Sequence, residues 1–162
     1  MRWHKSNRCD PEVRPLADRH YNRQKPGTPG FAPPGRCLVL KTAERDAFWI
    51  TSWPFAQYVR HKWAGAWVCS AFRNESKHLS SELIREAVAA TVAYYGPSPG
   101  MGMITFVDES KVRSKRNPGY CYLKAGFEPA GHTEGGACCL VALPVGDART
   151  ADGAWRRGLP CC

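Results

Sequence analysis

Polar side chains gather where an apolar segment of the sequence gives way to a long amphipathic one. Arg73, Asn74 and Glu75 stand at this junction, followed by Lys77 and Ser80. Because backbone groups at the end of a strand and the start of a helix are open to a ligand, these five residues are candidate substrate- or cofactor-binding residues. The alternatives are turn chemistry for Asn74 and helix capping for Ser80.

A second candidate is the carboxylate that directly follows the apolar run Met103–Val107. Asp108 stands at the carboxyl end of this predicted strand, from which it can act as a general base. An equally good interpretation is a cap or an ion pair with Lys111 or Arg113. Further back, His20 is followed by Tyr21 at the end of a basic segment, and it is either a proton shuttle or an ordinary surface histidine.

The histidines and cysteines have no spacing typical of a metal site. The five histidines are scattered, and no C-x-x-C occurs among the eight cysteines, so no metal is predicted. Several cysteines lie in apolar runs, where a free thiol behaves as a small hydrophobic group. The start of the chain lacks the apolar stretch of a signal peptide, so we expect a cytoplasmic protein with unpaired thiols.

The charge of the chain is strongly positive and unevenly distributed. The formal net charge is +9, and residues 1–36 hold eight basic residues against three acidic ones. Residues 111–116 add four more cations. Such clusters are typical of proteins that bind polyanions, although a merely solvated surface would look similar. The candidate phosphate-binding residues are Arg19, Arg23, Lys111, Arg113, Lys115 and Arg116.

The elements that must position these residues form one domain. The 162 residues contain no apolar run long enough to cross a membrane, and we expect a domain over residues 1–145 with a flexible tail over 146–162. A short helix near residues 15–21 precedes strands at 37–42, 47–53 and 66–72. A helix over residues 81–95, capped by Ser80 and ended by Gly96, leads to strands at 103–107, 127–130 and 138–143, with a short helix at 120–125. This order predicts an α+β domain on one mixed sheet.

The order of elements, together with Tyr122-Leu123-Lys124-Ala125-Gly126-Phe127 before the last strands, resembles the GNAT superfamily of N-acetyltransferases. The resemblance implies a mixed, mostly antiparallel sheet flanked by helices. It also implies that Tyr122 protonates the departing thiolate of coenzyme A, whereas Tyr122 could equally be a core aromatic residue. The family's glycine-rich pyrophosphate loop is missing, because residues 73–81 contain no glycine. The cofactor therefore stays open, with acetyl-CoA or a related acyl donor as one option.

Further segments resemble the phage Mom-type DNA-modification proteins, which are GNAT-like. They are His20-Tyr21-Asn22-Arg23, Gly30-Phe31-Ala32-Pro33-Pro34-Gly35, Phe72-Arg73-Asn74-Glu75 with Ser80-Ser81-Glu82-Leu83-Ile84, and Asn117-Pro118-Gly119-Tyr120-Cys121-Tyr122. The resemblance implies a phage transferase in the bacterial cytoplasm that adds a carbamoylmethyl group to adenine N6 in double-stranded DNA and protects it from restriction.

On this interpretation each candidate has a role in the transfer reaction. Asp108 is the base, and Tyr122 or Tyr120 is the acid or the hydroxyl that holds the electrophile. His20 contacts the adenine base of the DNA or moves a proton, and Tyr21 binds the substrate. Two alternatives remain: an acyl-CoA-dependent N-acetyltransferase acting on a small amine or a protein, and a non-catalytic DNA-binding module on a GNAT scaffold.

Overall fold

The computed structural model describes residues 1–111, 117–136 and 138–142. For residues 138–142 it describes the backbone and, of the side chains, only that of Leu140. Within these ranges the chain forms one seven-stranded sheet with helices on both faces. The elements are β1 (Trp3–Ser6), α1 (Arg14–Asp18), β2 (Cys37–Thr42), β3 (Ala47–Ser52), β4 (Trp67–Asn74), α2 (Ser80–Tyr95), β5 (Met103–Val107), α3 (Tyr120–Lys124), β6 (Phe127–His132) and β7 (Cys138–Ala142). The predicted tail over residues 146–162 lies outside the described residues.

The strand order in the sheet is β1-β2-β3-β4-β5-β7-β6. All neighbours are antiparallel except β4 and β5, which run parallel and are joined by the crossover helix α2. The predicted α+β class and the mixed, mostly antiparallel sheet are therefore confirmed. No helix in the described part of the chain is long and apolar enough to cross a membrane.

Alternating side chains of β3 pack into two separate hydrophobic cores, one on each face of the sheet. Trp49 points toward α2 and joins a cluster with Trp67 and Leu83, whereas Phe48 and Ile50 point toward α1. All six residues of β3 are buried, because the strand is central and covered on both faces. Burial of each large side chain contributes roughly 1.5–3 kcal/mol, so β3 is the main anchor of both layers.

Two short elements were not predicted from the sequence. The strand β1 contains only one strongly apolar residue, Trp3, whose indole Nε1 donates a hydrogen bond to the carbonyl oxygen of Leu83 at 2.9 Å. A tertiary contact with α2, and not local patterning, therefore holds this strand on the edge of the sheet. The second element is a 3₁₀ helix over Ala56–Tyr58 in the connection between β3 and β4.

The predicted cap of α2 is wrong. The helix begins at Ser80 itself, the N-cap position is Leu79, and no side chain caps the helix. The Ser80 hydroxyl instead accepts a hydrogen bond from the Asn74 side-chain amide at 3.0 Å. At the other end, Gly96 ends the helix with a positive φ of 89°, as the sequence predicts.

Candidate functional site

The parallel strands β4 and β5 pair along only part of their length. Their register runs from Trp67 opposite Met103 to Cys69 opposite Thr105, and no pairing continues toward their carboxyl ends. The strands diverge there, and a cavity of about 490 Å³ lies beside the gap, at the amino-terminal end of α2. Seven predicted site residues line it: His20, Tyr21, Arg73, Asn74, Ser80, Tyr120 and Tyr122.

Tyr21 reaches toward the end of β5 from the segment after α1. Its ring stacks on His20 with centroids 4.6 Å apart. Partial burial raises the pKa of Tyr21 above its usual value, and the phenol is protonated at neutral pH as an ordinary tyrosine is. Because Tyr21 lines the cavity, its O–H can donate a hydrogen bond to a substrate there.

His20 is held as a neutral imidazole. Burial, together with the nearby Arg73 charge, lowers the pKa of His20 to about 4. Its Nδ1 accepts a hydrogen bond from the backbone N–H of Asn22 at 3.2 Å, and the Tyr21 ring stacks on the imidazole. These contacts orient the imidazole, and its neutral form can accept a proton from a sufficiently acidic donor.

The other two tyrosines divide between core and surface. Tyr122 is only 8% exposed, and its hydroxyl lies 3.6 Å from the Cys69 sulfur inside the core. Burial raises the pKa of Tyr122 well above its usual value. The alternative interpretation of Tyr122 as a core aromatic residue therefore fits its surroundings better than an acid role. Tyr120 is 51% exposed, with Lys124 over its ring at 5.4 Å, so it forms the outer rim of the cavity.

Asp108 is not poised as a base. Its Oδ1 accepts hydrogen bonds from the Ser110 hydroxyl at 2.5 Å and the Ser110 N–H at 3.1 Å, and its Oδ2 lies 3.6 Å from Lys111 Nζ. The Ser110 bonds and the Lys111 charge lower the pKa of Asp108, both carboxylate oxygens have partners, and Asp108 does not line the cavity. The carboxylate thus stabilises a turn.

Glu75 ties the end of α1 to the end of β4. Its carboxylate accepts two hydrogen bonds from Arg19, at 2.9 and 2.7 Å, and one from Arg73 at 2.6 Å. Arg73 also donates to the backbone oxygen of Arg19 at 2.7 Å, one residue before His20. These bonds lower the pKa of Glu75 to about 2, so the carboxylate stays charged at physiological pH. Glu75 therefore positions the His20-Tyr21 segment.

The loop before α2 is held by hydrogen bonds among its own residues. The Ser76 N–H is bonded to Asn74 Oδ1 at 2.9 Å, and the His78 N–H is bonded to Ser76 Oγ at 3.1 Å. The Asn74 amide also donates to the His78 carbonyl at 2.8 Å. The Ser76 and His78 amides are thus satisfied within the loop, and the exposed Lys77 lies outside the cavity lining.

The predicted phosphate-binding cations differ in availability. Arg23 is 8% exposed in its side chain and is bonded to Asp18 at 2.7 Å and to the Thr28 and Gly30 carbonyls, so it braces a loop. Arg19 is paired with Glu75 but its side chain is half exposed. Lys111 is exposed beside Asp108. The remaining three, Arg113, Lys115 and Arg116, lie outside the described residues.

Sequence reasoning missed the tight turn that closes the cavity before α3. Gly119 has a positive φ of 78°, and a Cβ there would lie 2.6 Å from Leu140 Cδ1 and 3.3 Å from Val107 Cγ2. Only glycine combines this backbone conformation with the close approach. The Asn117-Pro118-Gly119 run is a turn signal that could have identified this wall of the site.

Within the described ranges, no group of three His, Cys, Asp or Glu residues could hold a metal ion. Comparison of the chain with family models, curated proteins and solved structures finds no match.

The buried neutral state of His20 predicts a pH-dependent stability. Because the folded pKa is about 4 and the unfolded value is about 6.5, the unfolded chain binds more protons between these limits, and stability falls as pH falls through that window. Urea unfolding should show a loss of about 1–2 kcal/mol between pH 7.5 and 5. His20→Gln should flatten this dependence, while His4→Gln, at an exposed position, should leave it unchanged.

Proposed function

We propose that this domain is a GNAT-type scaffold. The support is the strand order around the single parallel pair, and the divergence of that pair at the carboxyl end of β4. A gap of this kind exposes strand backbone and places α2, α3 and the segment after α1 around one cavity. Ligands of open sheets with parallel strands bind at the carboxyl ends of those strands, which is where the cavity lies.

We further propose that the protein is a transferase that modifies adenine N6 in double-stranded DNA with a carbamoylmethyl-type group. The observation that carries this proposal is the placement of Tyr21 and the neutral His20 together beside the gap between β4 and β5. The basic charge of the chain favours a substrate that carries phosphates. The choice of adenine as the modified nucleobase comes from the resemblance of the His20-Tyr21-Asn22-Arg23 segment to the Mom-type proteins.

The reaction needs a donor, an acid and a base. The adenine N6 nitrogen forms a bond to a carbon of the donor, the bond from that carbon to its leaving group breaks, and the electron pair departs with the leaving group. Tyr21 donates its O–H to the developing negative charge. His20 takes the N6 proton at Nδ1, as its hydrogen bond with the Asn22 N–H opens, once bond formation has made N6 cationic and acidic enough to protonate this weak base.

The arrangement of the loop before α2 weighs against an acyl-CoA-dependent acetyltransferase. The Ser76 and His78 amides are already bonded within the loop, so these two groups are not free to bind the diphosphate of coenzyme A. A non-catalytic DNA-binding module would share the basic charge. It would not need a protonated tyrosine and a neutral histidine in one cavity, which favours the enzyme.

Resistance of DNA to restriction tests the proposed function. Plasmid from cells that express the protein should resist endonucleases whose sites contain adenine, because the added group blocks recognition at N6. Enzymes with sites of only G and C should still cut the same plasmid. Complete cleavage by every adenine-containing specificity, with soluble protein present, would contradict the proposal. Salt-sensitive duplex binding without resistance would favour the binding module.

A further inference from the structure

A second cavity, of about 630 Å³, lies on the face of the sheet that α1 covers. Its walls are largely apolar and include Phe31, Phe48, Ile50 and Ala71. The rings of Phe31 and Phe48 are 6.4 Å apart in an edge-to-face arrangement. Its volume lies within the range of small-molecule sites, about 300–1,000 Å³.

His20 lines both cavities, so the imidazole stands between the two spaces. On β4, Ala71 lines the second cavity and Phe72, the next residue, lines the first, because neighbouring side chains of a strand face opposite sides. A group bound in the second cavity can therefore present an atom to His20 at the boundary with the first.

Two amide side chains line the second cavity, those of Asn22 and Gln24. Both residues are exposed, and in the described part of the chain neither side-chain amide has a hydrogen-bond partner. An Asn or Gln amide matches the N6 donor and N7 acceptor of adenine in a bidentate pair. Lys25, an exposed cation, lines the same cavity.

The wall that holds these amides is preformed. Arg23, between Asn22 and Gln24 in the chain, donates to Asp18 Oδ1 at 2.7 Å, to the Thr28 carbonyl at 2.7 Å and to the Gly30 carbonyl at 2.9 Å. Because the guanidinium fixes this loop before any ligand arrives, less ordering free energy is lost on binding.

We propose that this second cavity holds an adenine turned out of the duplex, with Asn22 and Gln24 recognising its N6/N7 edge and Lys25 contacting the adjoining phosphate. The proposal rests on the proposed function for the choice of DNA as substrate. The partly exposed Phe31 side chain replaces part of the stacking that the base loses, and N6 lies at the boundary marked by His20. Asn22 and Gln24 are thus specificity-determining residues.

Binding of the four deoxynucleoside monophosphates to the purified full chain, followed by ligand-observed NMR, tests the proposal. The wild-type protein should bind dAMP more tightly than dTMP or dCMP. The double variant Asn22→Ala/Gln24→Ala should lose about tenfold of this preference, since one good bidentate pair is worth about 1–3 kcal/mol of discrimination. Gln57→Ala, an exposed amide in the 3₁₀ helix, should keep it.

The outcomes separate this inference from the proposed function. Equal binding of all four nucleotides, absence of dAMP binding, or an unchanged preference in the double variant would overturn the assignment of the cavity. If that happens while plasmid DNA is still protected from restriction, only the cavity assignment fails. Selective dAMP binding that depends on the two amides, with unprotected DNA, would instead leave the cavity assigned and contradict the transferase.

Discussion

Tyr21→Phe is expected to lower the rate of DNA modification by about 10²–10³-fold, the loss typical of removing one hydrogen-bond donor to developing charge. The Tyr21 phenol is protonated at neutral pH and lines the cavity. Phenylalanine retains the ring that stacks on His20 but has no proton to donate. Single-turnover rates with duplex DNA, measured on equal amounts of folded protein, give the comparison.

Two further tyrosines provide controls for this substitution. Tyr58→Phe changes a residue that is 75% exposed, in the connection between β3 and β4, and should leave the rate unchanged. Tyr122→Phe removes a hydroxyl that contacts Cys69 in the core, and should mainly cost about 1 kcal/mol of stability. If Tyr122→Phe abolished modification and Tyr21→Phe did not, the donor would be assigned to the wrong residue.

Glu75→Ala is expected to lower the rate by about 10²-fold although Glu75 lies outside both cavity linings, because a displacement of about 1 Å can have this effect. The substitution removes the acceptor shared by Arg19 and Arg73, and so releases the segment that carries His20 and Tyr21. The unneutralised Arg73 charge should also lower the pKa of His20 further. A shift of the acidic limb of the pH–rate profile would report this directly.

Glu12→Ala is the matched control for the Glu75 substitution. Glu12 also bridges two cations, Lys41 at 2.6 Å and Arg45 at 3.0 Å, but its partners belong to the β2–β3 hairpin region away from the site. Both variants should lose at most about 1 kcal/mol per exposed ion pair. Only Glu75→Ala should lose activity. Equal activity of the two variants would show that Glu75 has no positioning role.

The sequence predicts most of the sheet because its strongest signals are local. The apolar runs of β2, β3 and β5 and the amphipathic period of α2 are readable without tertiary information. The strand β1 could not be predicted this way, since its place depends on pairing with β2 and on the contact of Trp3 with α2. The prediction that Ser80 caps α2 is wrong because the Ser80 hydroxyl instead accepts a hydrogen bond from the side-chain amide of Asn74, six residues earlier.

The sequence predicts several of the residues that line the candidate site, but not the part that each of them plays there. His20, Tyr21, Arg73 and Asn74 were selected from segments far apart in the chain, and they do line one cavity. The role of Asp108 depended on its partners, and Ser110, two residues away, occupies its carboxylate. The ion pair between Arg19 and Glu75 joins residues that are 56 positions apart in the chain, and no local sequence pattern predicts such a contact.

The most direct test of the central claim is tandem mass spectrometry of nucleosides from DNA of cells that express the wild-type protein or Tyr21→Phe. We predict a deoxyadenosine derivative in the wild-type sample, with the added mass on the base and fragments that locate it at N6. The derivative should be nearly absent from the Tyr21→Phe sample at equal protein level. Unmodified deoxyadenosine in the wild-type sample, or equal modification in both, would contradict the account.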